Sequence, residues 1–272
     1  VQGELDDAGT VRSSEIGSIK DSLAAAERAV LKSAQALRKE LLRYAKGLEW
    51  ELITVALHGE TNAGKSAIIE ALTQGNGAWV GDGRKDHTER LQSKHWNRVI
   101  LLDTPGIEGK EGSLLQEVQQ ALGTAHIVLI VLPDKEPEEG TLRKIRQHAR
   151  RASHVFSVLN QGGRPTTYRH RKQLIDLDAE RQGVRIRGKL AATFGDNYRG
   201  HLTVNALLAL LSHGAELRDR FLSDRQKTIE IFGTLAAARE FSGLPILEST
   251  LQNARREARR IILSSNLHRV TG

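Results

Sequence analysis

The 272-residue sequence contains no cysteine and no methionine. Without cysteine there can be no disulfide framework and no thiolate metal site, which fits an intracellular, cytoplasmic protein. The missing methionine, with Val1 in first place, points to a fragment or to dropped residues, so spacings across loops read as minimum values. Aromatic residues are scarce, at 4%, so Leu, Ile, Val and Ala must fill a core drawn from a hydrophobic share of 39%. No run of about 18 apolar residues occurs, and no signal peptide is visible, so no segment is expected to span a membrane. Acidic residues are outnumbered: 40 Lys and Arg against 33 Asp and Glu leave a net charge of +7. That balance favours anionic partners such as nucleotides, lipid headgroups or nucleic acid, and equally suits a solvated basic surface.

What is present is organised around Glu51–Ser66. A β-rich apolar run from Leu52 to Leu57 leads into Gly59-Glu60-Thr61-Asn62-Ala63-Gly64-Lys65-Ser66, and Ala67 to Leu72 then reads as helix. G-x-x-x-x-G-K-S between a strand and a helix is the context that a phosphate-binding loop requires. The glycines allow close backbone approach to a phosphate, and the loop amides with the helix N-terminus form an anion nest. Lys65 is expected to bridge the β and γ phosphates, and the Ser66 hydroxyl to complete a Mg²⁺ shell.

Three later features extend this site. Beyond Thr73, which directly follows the helix, Thr88 is the only threonine before Asp103. On a switching segment it is placed to reach Mg²⁺ and the γ-phosphate. His95–Leu102 reads as a strand ending in Asp103-Thr104-Pro105-Gly106. An aspartate at the carboxyl end of a buried strand can hold the metal through water, while the Gly106 amide faces the γ-phosphate. Ala125–Leu132 is a continuous apolar strand, as a sheet covered on both faces requires. Thr141–Ala152 reads as a basic helix, and Ser153–Asn160 as a further strand.

Gly59–Ser66 with Asn62 at its fourth position, followed by Asp103-Thr-Pro-Gly106, resembles the translation-factor-related P-loop GTPases, and within them the Era-like and bacterial dynamin-like branches. The resemblance covers residues 50–210. It implies a doubly wound, mostly parallel α/β sheet that binds GTP or GDP with Mg²⁺ through Gly59–Ala67, Gly106, Asn160 and Asn205. Ser66, Thr88 and Asp103 are the implied metal set, and Lys65, Thr88 and Asn62 the implied catalytic set. Asn62 sits where K⁺-dependent relatives carry an asparagine ligand, and equally suits a residue that shapes the loop through its own backbone. At the guanine-reading motif N-K-x-D this chain has Asn160-Gln161-Gly162-Gly163, so the aspartate is missing and guanine specificity is open. His201–Ala206 resembles the last strand and its base-contacting loop, with Asn205 in place of serine. Relatives of Ras type use a glutamine just after D-x-x-G; here Ile107 stands there and cannot orient water. Era-like and dynamin-like proteins share this replacement and recruit help from dimerisation or K⁺.

Residues 1–48 read as a polar lead-in and a long helix, 49–212 as the GTPase domain, and 213–272 as C-terminal helices. Leu23, Ala26, Val30, Ala34, Leu37, Leu41, Tyr44 and Leu48 form one apolar stripe at helical period. Leu247, Leu251, Ala254, Ala258 and Ile261 form another, on a single helix from Ile246 to Leu267. The two stripes are expected to pack together as a neck like that of dynamin-like proteins. The basic stretch Tyr168–Gly200 reads as an inserted helical hairpin. It lacks interleaved aromatics, so nucleic acid is not the expected partner.

The expected activity is therefore a Mg²⁺-dependent P-loop GTPase acting as a switch or mechanochemical domain. Expected partners are a guanine nucleotide, a second copy across the nucleotide face, and an anionic membrane surface or protein at the neck. Two alternatives stay open: a nucleotide-binding module with little turnover, and a membrane or protein interaction scaffold.

Overall fold

The computed structural model describes residues 22–36, 38–39, 52–81, 91–106, 113–133, 136–149 and 154–271. The chain divides into two compact units, Val1–Glu49 and Trp50–Gly272. In the first, residues 22–36 form helix α1.

The second unit is built on six strands: β1 (Ile53–His58), β2 (Gln92–Trp96), β3 (Val99–Asp103), β4 (Ile127–Leu132), β5 (His154–Asn160) and β6 (Tyr198–Val204). Their order is β2-β3-β1-β4-β5-β6, with only the edge strand β2 antiparallel. The helices between them are α2 (Lys65–Leu72), α3 (Ser113–Thr124), α4 (Glu139–Ala149) and α5 (Leu177–Phe194). After β6 come α6 (Ala206–Leu211), α7 (Asp219–Phe232), α8 (Leu235–Phe241), α9 (Leu244–Arg256) and α10 (Ala258–Thr271).

Strand β4 shows why its apolar run is unbroken. Side chains alternate between faces along a strand. Ile127, Leu129 and Val131 join one core with Ile68 and Ile69 of α2, Leu210 of α6, Leu247 and Leu251 of α9, and Ile261 of α10. Val128, Ile130 and Leu132 join the other, with Val118 and Leu122 of α3, Leu142 and Ile145 of α4, and Ile186 and Leu190 of α5. Each fully buried Leu, Ile or Val contributes about 1.5–3 kcal/mol, so covering both faces requires both helical layers. This is the doubly wound, mostly parallel α/β fold that the sequence reading expects.

Local readings differ at four places. His95–Leu102 is not one strand but a hairpin: Trp96 pairs with Val99, and Asn97 and Arg98 between them have φ 45° and 65°. A two-residue turn with positive φ at both positions matches the right-handed strand twist, which the apolar pattern alone does not reveal. The basic stretch 168–200 is not a hairpin insertion but mainly one helix, α5, capped by the Asp176 carboxylate on Ala179 N–H at 2.9 Å. A parallel β5–β6 pair needs such a crossover. The single helix expected over 246–267 breaks at Glu257, the C-cap of α9. Finally, the stripe expected to face an N-terminal partner is covered by the nucleotide domain itself. Leu247 and Leu251 are 0% and 1% exposed in the same core as Ile68 and Leu129. Residues 213–271 therefore complete one face of the sheet.

Candidate nucleotide site

The carboxyl ends of β1, β3, β5 and β6 bring the sequence-predicted residues together. The chain runs from β1 outward to β3 on one side and to β4 on the other, and ligands bind at such a switch point. Gly59 follows β1 directly and lies against β4: a Cβ there would sit 2.1 Å from the Val131 carbonyl oxygen. Gly64, with φ 97°, ends the loop, and a Cβ there would meet Asn160 Nδ2 at 2.2 Å. Both glycines are required by close approach, not merely tolerated. Between them Asn62 sits exposed at the loop crest with φ 62°, a conformation that asparagine tolerates.

Lys65 is buried, and its Nζ donates to the loop's own carbonyls, Gly59 O at 3.0 Å and Glu60 O at 2.8 Å. The ammonium is thereby folded back over the loop that would hold the phosphates. The next residue, Ser66, donates its Oγ hydrogen to Asp103 Oδ2 at 2.6 Å. Asp103 pairs in register with Leu57 at the end of β1, which sets this distance. Thr104 reinforces the junction, donating through Oγ1 to Leu57 O at 2.8 Å.

Asp103 is 1% exposed. Burial pushes its carboxyl up; the Ser66 bond and the Lys65 charge pull it down, and Glu70 pushes it up. Its Oδ1 is buried and has no hydrogen-bond partner among the described residues. A buried carboxylate with one oxygen on a serine and the other unpartnered suits a hard divalent cation with oxygen ligands, such as Mg²⁺. Asp103 and Ser66 fit that role. Thr88, the third residue assigned to the metal, and Ile107 lie outside the described residues. Gly106 lies against the phosphate loop, where a Cβ would meet Thr61 Oγ1 at 2.1 Å.

The base-side residues separate into two kinds. Asn160 links two loops: its Nδ2 donates to Ala63 O at 2.9 Å and its Oδ1 accepts Ala206 N–H at 3.0 Å. Asn205, which the sequence reading places at the base, has a framework role in the fold. It is 1% exposed and caps α6, its Oδ1 accepting Leu208 N–H at 2.7 Å. Its Nδ2 donates to Gln161 O and Tyr168 Oη, both at 2.9 Å, so its polar atoms are spent on shaping the 161–168 loop. Gly163, where the family carries aspartate, has φ 127°, and a Cβ there would lie 2.9 Å from Tyr168 Oη. Tyr168 also donates to Gly162 O, closing the loop from beneath.

Sequence reading missed Tyr168 and Glu70. Glu70 carried a signal: a lone carboxylate in the apolar run Ala67-Ile-Ile-Glu-Ala-Leu72.

Residues 54–161 match the family described as 50S ribosome-binding GTPase. No curated protein matches the chain. Among solved structures, Era in complex with MgGDPNP and a segment of 16S ribosomal RNA is similar at 18% identity and TM-score 0.43, over 57% of this chain and 51% of that one. The elongation factor SelB from Methanococcus maripaludis with a GTP analogue is similar at 15% identity and TM-score 0.42, over 58% of this chain and 31% of that one. The G domain of the T. maritima FeoB iron transporter is similar at 17% identity and TM-score 0.36, over 66% of this chain and 98% of that one. The match thus spans about half of the Era chain and about a third of the SelB chain. The segment 54–161, which is similar to the 50S ribosome-binding GTPase family, carries the phosphate loop, the buried lysine and the serine–aspartate pair.

Proposed function

We propose that the domain binds GTP and GDP and hydrolyses GTP with Mg²⁺, as a switch of the Era type. The observation that carries this reading is the Ser66–Asp103 pair beside the buried Lys65 ammonium. The loop amides and Lys65 would hold the β and γ phosphates, with Lys65 leaving its own carbonyls to do so. Ser66 and Asp103, with Thr88, would hold Mg²⁺, which when bound offsets charge on the phosphate oxygens. Asn160 keeps the phosphate loop and the β6–α6 junction in register, so a base between them meets preset contacts.

Ile107 offers no hydrogen bond to water, so water positioning falls to a second copy across the nucleotide face or to K⁺ near Asn62. Turnover should then rise with protein concentration and fall when Na⁺ replaces K⁺. GTP and ATP turnover measured side by side across a dilution series tests this. A flat rate per subunit at the level of fast GTPases removes the dimer; no turnover with intact GDP binding leaves a binding module.

A second reading, contact with an anionic membrane or an acidic partner protein, is favoured by α10. Its exposed side carries Arg259 and Arg260 beside Leu263 and Leu267, which are 52% and 57% exposed. Guanidinium groups next to leucines suit an anionic surface with an apolar layer beneath. Co-sedimentation with phosphatidylserine vesicles, lost on Arg259→Glu with Arg260→Glu, checks it.

A further inference from the structure

The loop after β5 turns its acceptors inward. Asn205 Nδ2 donates to Gln161 O at 2.9 Å and to Gly163 O at 3.3 Å, and the Tyr168 hydroxyl donates to Gly162 O between them. Both holding side chains are buried, so the three carbonyls face the framework beneath the loop. The buried Gln161 side chain is spent as well. Its amide, in the orientation that satisfies both neighbours, donates to Leu174 O at 2.7 Å and accepts from Arg171 at 3.2 Å. Asn160 is committed to Ala63 O and Ala206 N–H.

The peptide planes then fix what faces outward. In a trans peptide the N–H points opposite to the C=O of the same plane. With the 161, 162 and 163 carbonyls directed at Asn205 and Tyr168, the amides of Gly162, Gly163 and Arg164 point the other way. All three residues are exposed, and among the described residues nothing accepts from these amides. Asn160, just before them, bonds the phosphate loop, so the row of amides lies at the edge of the nucleotide site. Successive backbone N–H groups offer a surface to acceptors and not to donors.

We propose that these three amides read the base, and that the site takes 6-oxopurine nucleotides as a class, not guanine alone. The assignment rests on the GTP reading above. Guanine presents O6 and N7 as acceptors and its 2-amino group as a donor. A row of donors engages O6 and N7 and leaves the 2-amino group unread. Hypoxanthine, which lacks that group, and xanthine, which has an oxygen in its place, then fit equally well. Adenine carries its N6 amino group where O6 would lie, which sets donor against donor. Tyr168 is the positioning residue, because its hydroxyl holds the central carbonyl of the row inward.

The test is a competition titration of the wild-type protein with the diphosphates of guanosine, inosine, xanthosine and adenosine (GDP, IDP, XDP and ADP). We expect IDP and XDP within about five-fold of GDP, and ADP weaker by at least about five-fold, the worth of one neutral hydrogen bond. In Tyr168→Phe the Gly162 peptide is free to turn, and the GDP-to-ADP ratio should fall toward one. Lost stability alone would weaken all four nucleotides and keep their ratios, and that outcome overturns the role of Tyr168. If Tyr168→Phe fails to fold, the wild-type series decides. IDP or XDP weaker than GDP by more than about five-fold would reveal an acceptor reading the 2-amino edge and overturn the assignment. ADP within about five-fold of GDP would overturn it too, because the amides would then not read O6. A protein that binds none of the four overturns the GTP reading itself, and this assignment with it.

Discussion

Asn160 joins two loops that meet only in the folded chain: its amide donates to Ala63 O at 2.9 Å and accepts from Ala206 N at 3.0 Å. The side chain is a spacer of fixed length between the phosphate loop and the start of α6. Asn160→Asp keeps the shape but turns the donor facing Ala63 O into a second acceptor. Both GDP and GTP should weaken by about ten-fold or more, since one buried hydrogen bond becomes a repulsion of about 1–3 kcal/mol. Calorimetric titration of the variant checks this, and undiminished binding would remove Asn160 from the site.

Lys65→Ala should abolish triphosphate binding while the domain stays folded. The ammonium donates to Gly59 O and Glu60 O, and both bonds lie within the loop itself. Circular dichroism and a fluorescent GTP analogue together test it. Wild-type affinity in the variant would mean that the loop does not hold phosphate.

Base choice should be looser than in relatives with N-K-x-D, because Gly163 has no carboxylate to accept from guanine. Loss of one charged contact is worth about 1.5–3 kcal/mol, roughly ten- to a hundred-fold. Competition between GDP and ADP measures it, and a preference of about a thousand-fold would show that another group has taken over the role. Gly163→Asp alone should not restore the contact, since φ is 127° and Tyr168 Oη lies 2.9 Å from a Cβ placed there.

The C-terminal helices should be inseparable from the nucleotide domain in stability. Leu251 on α9 is 1% exposed in the core that holds Ile68 and Leu129. Leu251→Ala should cost about 2–5 kcal/mol, from lost burial and the cavity left behind. Urea unfolding reads this directly; a loss near zero would make those helices an appendage.

Acid should weaken the fold through His201. Burial first, and the Arg187 charge second, lower its pKa from 6.5 to about 4. Its Nδ1 lies 2.8 Å from Ser157 Oγ, whose other neighbour is Tyr198 Oη at 2.8 Å. With the folded value depressed, the unfolded chain binds the extra proton between pH 6.5 and 4, so stability is full above that window and falls as pH drops through it. The share from His201 is about 1–2 kcal/mol once its partial exposure is discounted. The pH slope of urea midpoints should flatten in His201→Gln, and an unchanged slope would assign the acid sensitivity elsewhere.

The sequence by itself determined the features whose physics is local or periodic. Gly59–Ser66 is legible because a phosphate nest is eight consecutive residues between a strand and a helix. The β4 strand is legible because burial on both faces leaves no polar alternation, and Asp103 because it ends such a strand. Tertiary structure decided what depends on distant partners. The two-residue turn at Asn97–Arg98 splits one apparent strand, because register rather than composition placed it. Asn205 caps α6 and bonds Tyr168, 37 residues away, a pairing that no local pattern in the sequence names. The stripe on α9 and α10 shows only that a partner exists; the core face of the sheet at β1 and β4, with α2, is what covers it. Glu70 reads as an oddity in an apolar run until Lys94, 24 residues on, meets it across the domain. A one-dimensional pattern records that a group must be satisfied, and only folding selects which group satisfies it.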